Sequence, residues 1–254
     1  MSVHRYNLGG LPGRALVVGD LHGCFDLLRA ELAKMRYDPA IDKLFLLGDI
    51  VDRGPQSAEF AEWLHLPRVL GNHEVMCRNA LHSTSAAIFH RRYGGAWFDA
   101  FDKPTREHMV AQLMDAPLAI ELVTPRGRKV GLIHADVDGY DWPDLTANLG
   151  LAGMKGDAGQ TALWGRSRLG DITPGEADWF STIDGIDHVF FGHSVVSVPV
   201  SAGNCSWIDT GSSFTGKLSV IDIDAWLDRD KRRIAAENPP PGWNTHAWPG
   251  GKPS

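Results

Sequence analysis

The chain has 254 residues, 43% of them hydrophobic and 22% charged, with a formal net charge of −6. That length allows one α/β domain with a sizeable core, and the acidic balance argues against nucleic acid as the main partner. Three cysteines, Cys24, Cys77 and Cys205, have no CxxC spacing and cannot all pair, so a reducing, cytoplasmic setting fits better than a disulfide framework. Met1 to Gly13 lacks an apolar leader core and no apolar run reaches the length of a membrane span, which predicts a soluble chain without a membrane partner.

Arg14 to Gly19 predicts a buried strand, and Phe25, Leu28, Leu32 and Met35 then recur on one face of a helix. Lys43 to Leu47 predicts the next strand. Pro55 suits a helix first turn, so a helix to about His65 follows, and Arg68 to Leu70 is a third short strand. This alternation implies parallel pairing with right-handed crossovers. From His82 to Ala116 the pattern is helical, most clearly over Glu107 to Met114. Leu118 to Val123 and Lys129 to Ile133 predict two strands joined at Pro125-Arg126-Gly127-Arg128. Asp138 to Thr161 reads as an irregular excursion with short helices. Val189 to Phe191, Trp207-Ile208 and Lys217 to Ile223 supply strands for a second sheet. The expected division is one domain over 1–227 and a proline-rich tail over 228–254.

Five short runs stand out at the ends of apolar stretches: Gly19-Asp20-Leu21-His22-Gly23, Gly48-Asp49-Ile50-Val51-Asp52-Arg53-Gly54, Gly71-Asn72-His73-Glu74, Ile133-His134-Ala135-Asp136 and Gly192-His193-Ser194. In an open α/β sheet these positions face the ligand crevice beyond the carboxyl ends of the strands. Asp20, His22 and Asp49 can hold one cation, and Asp49, Asn72, His134 and His193 a second, with Asp49 bridging. Oxygen and imidazole donors without thiolate suit Mn²⁺, Fe or Zn²⁺. Two such ions sharing a water would lower its pKa and give a hydroxide for in-line attack on phosphorus. Arg53 and Arg166, with Asn72, are the expected phosphate-binding residues, and Arg168 competes with Arg166. His73 is free to protonate the leaving oxygen as general acid, oriented by Asp52.

Taken together, these runs resemble the calcineurin-like metallophosphoesterases, and within them the phosphoprotein phosphatase branch of bacteriophage lambda and bacterial serine/threonine phosphatases. The likeness runs from about Leu16 to Ile223 and includes Gly94-Gly95-Ala96-Trp97, Leu163-Trp164-Gly165-Arg166 and Ile208-Asp209-Thr210-Gly211, which are expected outside the metal site. The resemblance implies an α/β fold with two mixed β-sheets in a central sandwich flanked by helices. It also implies two divalent metal ions per chain, usually Mn²⁺, and phosphorylated proteins or peptides as substrates. Leu70 departs from the arginine of many relatives and Ser194 from their threonine. The alternative is a symmetrical diadenosine tetraphosphate hydrolase, in which alanine typically replaces Asp52 and aspartate replaces Glu74. A catalytically dead phosphate-binding protein would show a broken ligand or a missing acid pair, and none is broken here. The oligomeric state is left open.

Overall fold

The alternation inside one short strand sets the layering. All four residues of β2 (Ala15–Val18) are buried, but Leu16 and Val18 join one apolar cluster while Ala15 and Val17 join another, as the period of two along a strand requires. The strand β2 is the centre of a three-stranded sheet, parallel to β3 (Lys43–Leu46) and antiparallel to β9 (Val220–Asp222). A second, six-stranded sheet has the order β1-β4-β5-β6-β8-β7. Its members are β1 (Val3–Asn7), β4 (Ala119–Val123), β5 (Lys129–Ile133), β6 (His188–Phe191), β7 (Val200–Ala202) and β8 (Cys205–Trp207). Parallel and antiparallel pairs mix in both sheets.

Between the sheets, Val17 and Phe45 meet Ile120, Leu132 and Phe190 in one cluster. The outer face of the small sheet is covered by α1 (Phe25–Lys34), whose Phe25 and Leu28 are fully buried while Leu32 and Met35 pack at the margin. The outer face of the large sheet is covered by α5 (Trp142–Ala152) and α6 (Asp157–Trp164) through Trp142, Leu149 and Leu163. The result is the helix-flanked α/β sandwich expected from the sequence. The computed structural model describes residues 2–170 and 182–229, so all but the first two residues of the expected tail lie outside the described part.

The structure revises several elements. The third strand reduces to a single parallel bridge, Leu46 to Arg68, because Gly71 opens α2 (Asn72–Ala80) immediately afterwards. The segment after Pro55 is a 3₁₀-helix, Ser57–Trp63. Spacing of three places Ser57, Phe60 and Trp63 on one side, where Trp63 stacks on Phe25 at 5.4 Å. The helical stretch after His82 splits into α3 (Thr84–Arg92), a 3₁₀ segment (Gly95–Ala100) and α4 (Lys103–Leu113). The start of α4 lies a turn earlier than its apolar pattern, since the Asp102 carboxylate accepts from the Thr105 N–H at 2.9 Å and caps it. The segment 138–161 is largely ordered helix. Edge strand β1 has no buried residue, so its sequence carries no core signature.

Arg14 clamps the start of β2 to the turn after α1. Its Nε and Nη2 donate to the Asp42 carboxylate at 3.2 and 2.6 Å, and Nη1 donates to the Met35 carbonyl at 3.1 Å. The Arg14 hydrogen bonds hold the Asp42 carboxyl down at about 2, from a usual 3.8. Because the folded value is depressed, this contribution to stability is present above pH 3.8 and is lost as pH falls toward 2. Asp42→Asn is expected to cost ~1–3 kcal/mol near neutrality. Thermal melts between about pH 2 and 4 check it: the variant should lose less stability across that window than the parent. A variant as stable as the parent at neutral pH would exclude the role.

Candidate active site

Each of the five runs leaves a strand end or opens a helix: β2 leads to Asp20 and His22, β3 to Asp49, the bridge at Arg68 to Asn72, β5 to His134 and β6 to His193. Tight turns bring them together. Of the six non-glycine residues with positive φ among the described residues, five lie here: His22, Asp49, Asp52, Arg53 and His193. Such strain persists where surrounding structure fixes it, and it collects at functional sites. Glycine is needed where two runs touch. A Cβ on Gly71 would overlap the Asp49 carboxylate and backbone, and one on Gly192 would overlap the Asp20 carboxylate.

Asp20, His22, Asp49, Asn72, His73, His134 and His193 are all buried. Asp49 is the hub: its Oδ2 lies 3.4 Å from His134 Nε2, 3.7 Å from His22 Nε2 and 3.9 Å from His73 Nε2. Two groups that share Asp49 have the reach to hold a cation, His22 with Asp49 and His73, and Asp49 with His134 and His193. Asn72 Oδ1 adds to the second, 2.9 Å from His134 Nε2. Asp20 adds to the first from slightly farther out, its Oδ2 4.0 Å from His22 Nε2, while its two oxygens accept from the His193 N–H at 3.1 Å. The sequence assigned Asp20 to the first group and kept His73 out of it; the geometry brings both to its edge.

The donor set fits divalent cations. The ring of His22 turns Nδ1 to the Val51 carbonyl at 3.0 Å, and His134 turns Nδ1 to the Leu47 carbonyl at 2.7 Å. A carbonyl only accepts, so both Nδ1 atoms carry the proton and both Nε2 atoms face the centre. Arg53 Nη1 donates to His22 Nε2, which marks that nitrogen as an acceptor. Burial, then the neighbouring Asp209, raise the Asp20 carboxyl well above its usual range. Burial lowers His22 to about 3, with His73 and Arg53 adding to it, and burial with Arg166 lowers His193. Burial would also lower His134, but Asp49 and Asp20 outweigh it and lift the ring to about 10. Burial likewise opposes the charge on Asp49, and His134 and His73 override it, holding the carboxylate ionised. Closely packed carboxylates and imidazoles of this kind exchange protons for cations when metal binds.

Around this centre sit the groups with other roles. His73 Nδ1 donates to Asp52 Oδ2 at 2.7 Å, both fully buried. Burial acts to raise Asp52, but hydrogen bonds from His73 and His90 bring it to about 2. Arg53 lies half-buried beside His22, its guanidinium 5.1 Å from the ring centre of Phe214, an aromatic 67% exposed. Arg166 Nη1 donates to Ser194 Oγ at 3.2 Å at the mouth of the site. Arg168 is occupied elsewhere: Nε pairs with Asp136 at 3.3 Å and Nη2 donates to the Gly139 carbonyl at 2.5 Å. Of the two arginines, Arg166 is the one that reaches Ser194, next to His193.

Sequence reasoning named Glu74, Trp97 and Asp209 without giving them a place in the site, and it missed His90. Glu74 is a clamp whose two oxygens accept from the N–H groups of Asp49 (3.1 Å), Ile50 (2.9 Å) and Gly71 (2.8 Å); burial, then Asp49, raise its carboxyl. Asp209 is buried and follows β8 as Asp20 follows β2, close enough to perturb Asp20. His90 and Trp97 both reach Asp52. Trp97 of the Gly94-Gly95-Ala96-Trp97 run and Asp209 of the Ile208-Asp209-Thr210-Gly211 run thus lie beside the carboxylates of the site, outside the groups with the reach to hold a cation. Their only sequence signal was that they accompany the five runs.

Two mixed sheets whose strands end in one buried pocket of carboxylate, imidazole and amide donors define a metallohydrolase architecture. Comparison narrows the class: residues 13–197 match the calcineurin-like phosphoesterase family. The chain belongs to that family. It is 33% identical over 220 residues to serine/threonine-protein phosphatase 2 of Salmonella typhimurium, covering 82% of this chain and 91% of that protein. It is 26% identical over 261 residues to the symmetrical bis(5'-nucleosyl)-tetraphosphatase of Methylococcus capsulatus, covering 84% and 92%. A solved protein serine/threonine phosphatase from Saccharomyces cerevisiae shares the fold with a TM-score of 0.55 at 18% identity, over 82% of this chain and 70% of that one. No helix among the described residues is long and apolar enough to cross a membrane.

Proposed function

We propose that this phosphoesterase is a phosphomonoesterase acting on phosphoserine and phosphothreonine in proteins or peptides. The observation that carries the reading is the buried contact of 2.7 Å between His73 Nδ1 and Asp52 Oδ2. Asp52 holds the ring through Nδ1 and leaves Nε2 as the nitrogen that would give a proton to an alkoxide leaving group. A dinucleoside polyphosphate leaves as a far weaker base and has less need of that proton. The likeness to the Salmonella serine/threonine phosphatase supports the same substrate class.

In this reading Asp20, His22, Asp49, Asn72, His134 and His193 hold two divalent cations, Mn²⁺ by preference. When bound, the cations supply Lewis acidity and the activation of a water nucleophile. Arg53, Arg166 and Asn72 bind and orient the phosphoryl oxygens, and the forked guanidinium of Arg53 can do so with two parallel hydrogen bonds. Glu74 keeps the Asp49 turn and the start of α2 in register. The burial of the centre limits competing water and strengthens each electrostatic contact.

A symmetrical dinucleoside tetraphosphatase is the second reading, favoured by the likeness to the Methylococcus enzyme. The two separate on kcat/KM of the Mn²⁺-loaded protein for a phosphoserine peptide and for diadenosine tetraphosphate. The expected result is faster turnover of the peptide; faster cleavage of the dinucleotide overturns the proposal.

A further inference from the structure

Asp52 has more partners than a two-residue acid pair needs. Its Oδ2 holds His73, while Oδ1 accepts from Trp97 Nε1 at 2.6 Å and from His90 Nε2 at 2.9 Å. His90 Nε2 also lies 3.0 Å from Oδ2 and 3.4 Å from Cys77 Sγ. A carboxylate only accepts, so His90 Nε2 carries a proton. All of His90, Cys77 and Asp52 are buried.

Both donors come from one platform, α3 with the 3₁₀ segment that follows it. Gly95 lets the platform close, since a Cβ there would overlap the His90 ring. His90 meets Phe98 edge to face at 5.7 Å, and Trp97 meets Phe60 at 6.4 Å. The same platform supports the neighbouring arginine, because the Arg53 N–H donates to the Gly94 carbonyl at 3.1 Å. Asp52 and Arg53 both sit at positive φ, at 71° and 67°. A turn that strained needs outside contacts to keep its side chains in one place.

We propose that His90 and Trp97 are positioning residues for the phosphate-ester reaction. By fixing Asp52 Oδ1 they leave Oδ2 aligned on His73 Nδ1, so that His73 Nε2 is held toward the leaving oxygen. Neither residue touches substrate. This rests on the reading of His73 as general acid. Asp52, Cys77 and His90 also have the reach to hold a cation, but both Asp52 oxygens already accept N–H donors and burial drives the Cys77 thiol well up. The hydrogen-bonded arrangement explains all three groups, and the indole as well.

The test uses the full chain with Mn²⁺ and compares Trp97→Phe, His90→Met and His90→Gln with the parent. Substrates are a phosphoserine peptide, whose leaving group needs a proton, and p-nitrophenyl phosphate, whose leaving group does not. Trp97→Phe and His90→Met are expected to lower kcat on the peptide by ~10–100-fold with KM unchanged, and on the aryl ester by less than ~3-fold. His90→Gln, which keeps an N–H donor, is expected to recover most of the peptide rate. Equal losses on both substrates, no loss, or no recovery by glutamine would overturn the proposal. So would a third equivalent of metal in the parent that His90→Met removes. Trp97→Phe preserves an aromatic ring and keeps the test decisive should His90→Met fail to fold. His73→Asn run alongside separates the failures. If that variant itself loses both activities equally, the acid reading falls; if it is leaving-group selective and the platform variants are not, only the positioning role falls.

Discussion

Asp49→Asn is expected to release metal and to remove activity by at least ~10³-fold. Asp49 is the one carboxylate that belongs to both cation groups. The amide keeps the shape but replaces one anionic oxygen with an N–H₂ that repels a cation and competes for hydrogen-bond acceptors. It also removes the negative charge that opposes His22, His73 and His134, all within 4 Å of Oδ2. Elemental analysis of the purified variant after Mn²⁺ loading is the direct measurement. A variant that still carries two equivalents would exclude the bridging role. Circular dichroism matching the parent would show that the loss is local, since Glu74 continues to hold the Asp49 turn through backbone N–H groups that the substitution leaves in place.

His73→Asn should behave in the opposite way toward metal. The proposed ligands remain, so two equivalents are expected to stay bound. Turnover of a phosphoserine peptide is expected to fall by ~10²–10⁴-fold, the usual contribution of a positioned general acid. Hydrolysis of p-nitrophenyl phosphate should fall far less, because its phenolate departs without a proton. Equal losses on the two substrates would contradict the acid role, and loss of one metal equivalent would instead make His73 a ligand of the group it borders with His22 and Asp49. The two outcomes are separable because one reads leaving-group basicity and the other reads stoichiometry.

What could be read from the chain alone was chemistry with local causes. Asp20, His22, Asp49, Asn72, His134 and His193 declared themselves because each is a donor-type residue at the end of an apolar run, where the backbone must leave the sheet. The helix of Phe25 and Leu28 and the strands around Val17, Leu122 and Ile133 were legible for the same reason: burial on one side imposes a period on the sequence. Elements without that pressure were missed or blurred. Edge strand β1 has no fully buried residue, the Arg68 strand shortened to one bridge, and the stretch after Pro55 took the tighter 3₁₀ form that suits a spacing of three.

Only the tertiary structure decided which polar residues act together. Arg166 and Arg168 differ by two positions and are alike in sequence, yet one opens onto Ser194 at the site and the other is locked to Asp136. His90 and Trp97 lie 38 and 45 residues from the carboxylate they hold, and Glu74 reaches back 25 to the Asp49 N–H. Hydrogen bonds across such separations leave no periodic trace, because they depend on how two sheets and a helical platform pack and not on the period of any one element. The sequence by itself placed donor-type residues at the strand ends; packing decided which of them meet, how Asp52 faces His73, the clamp beneath Asp49 and which of the two arginines reaches Ser194.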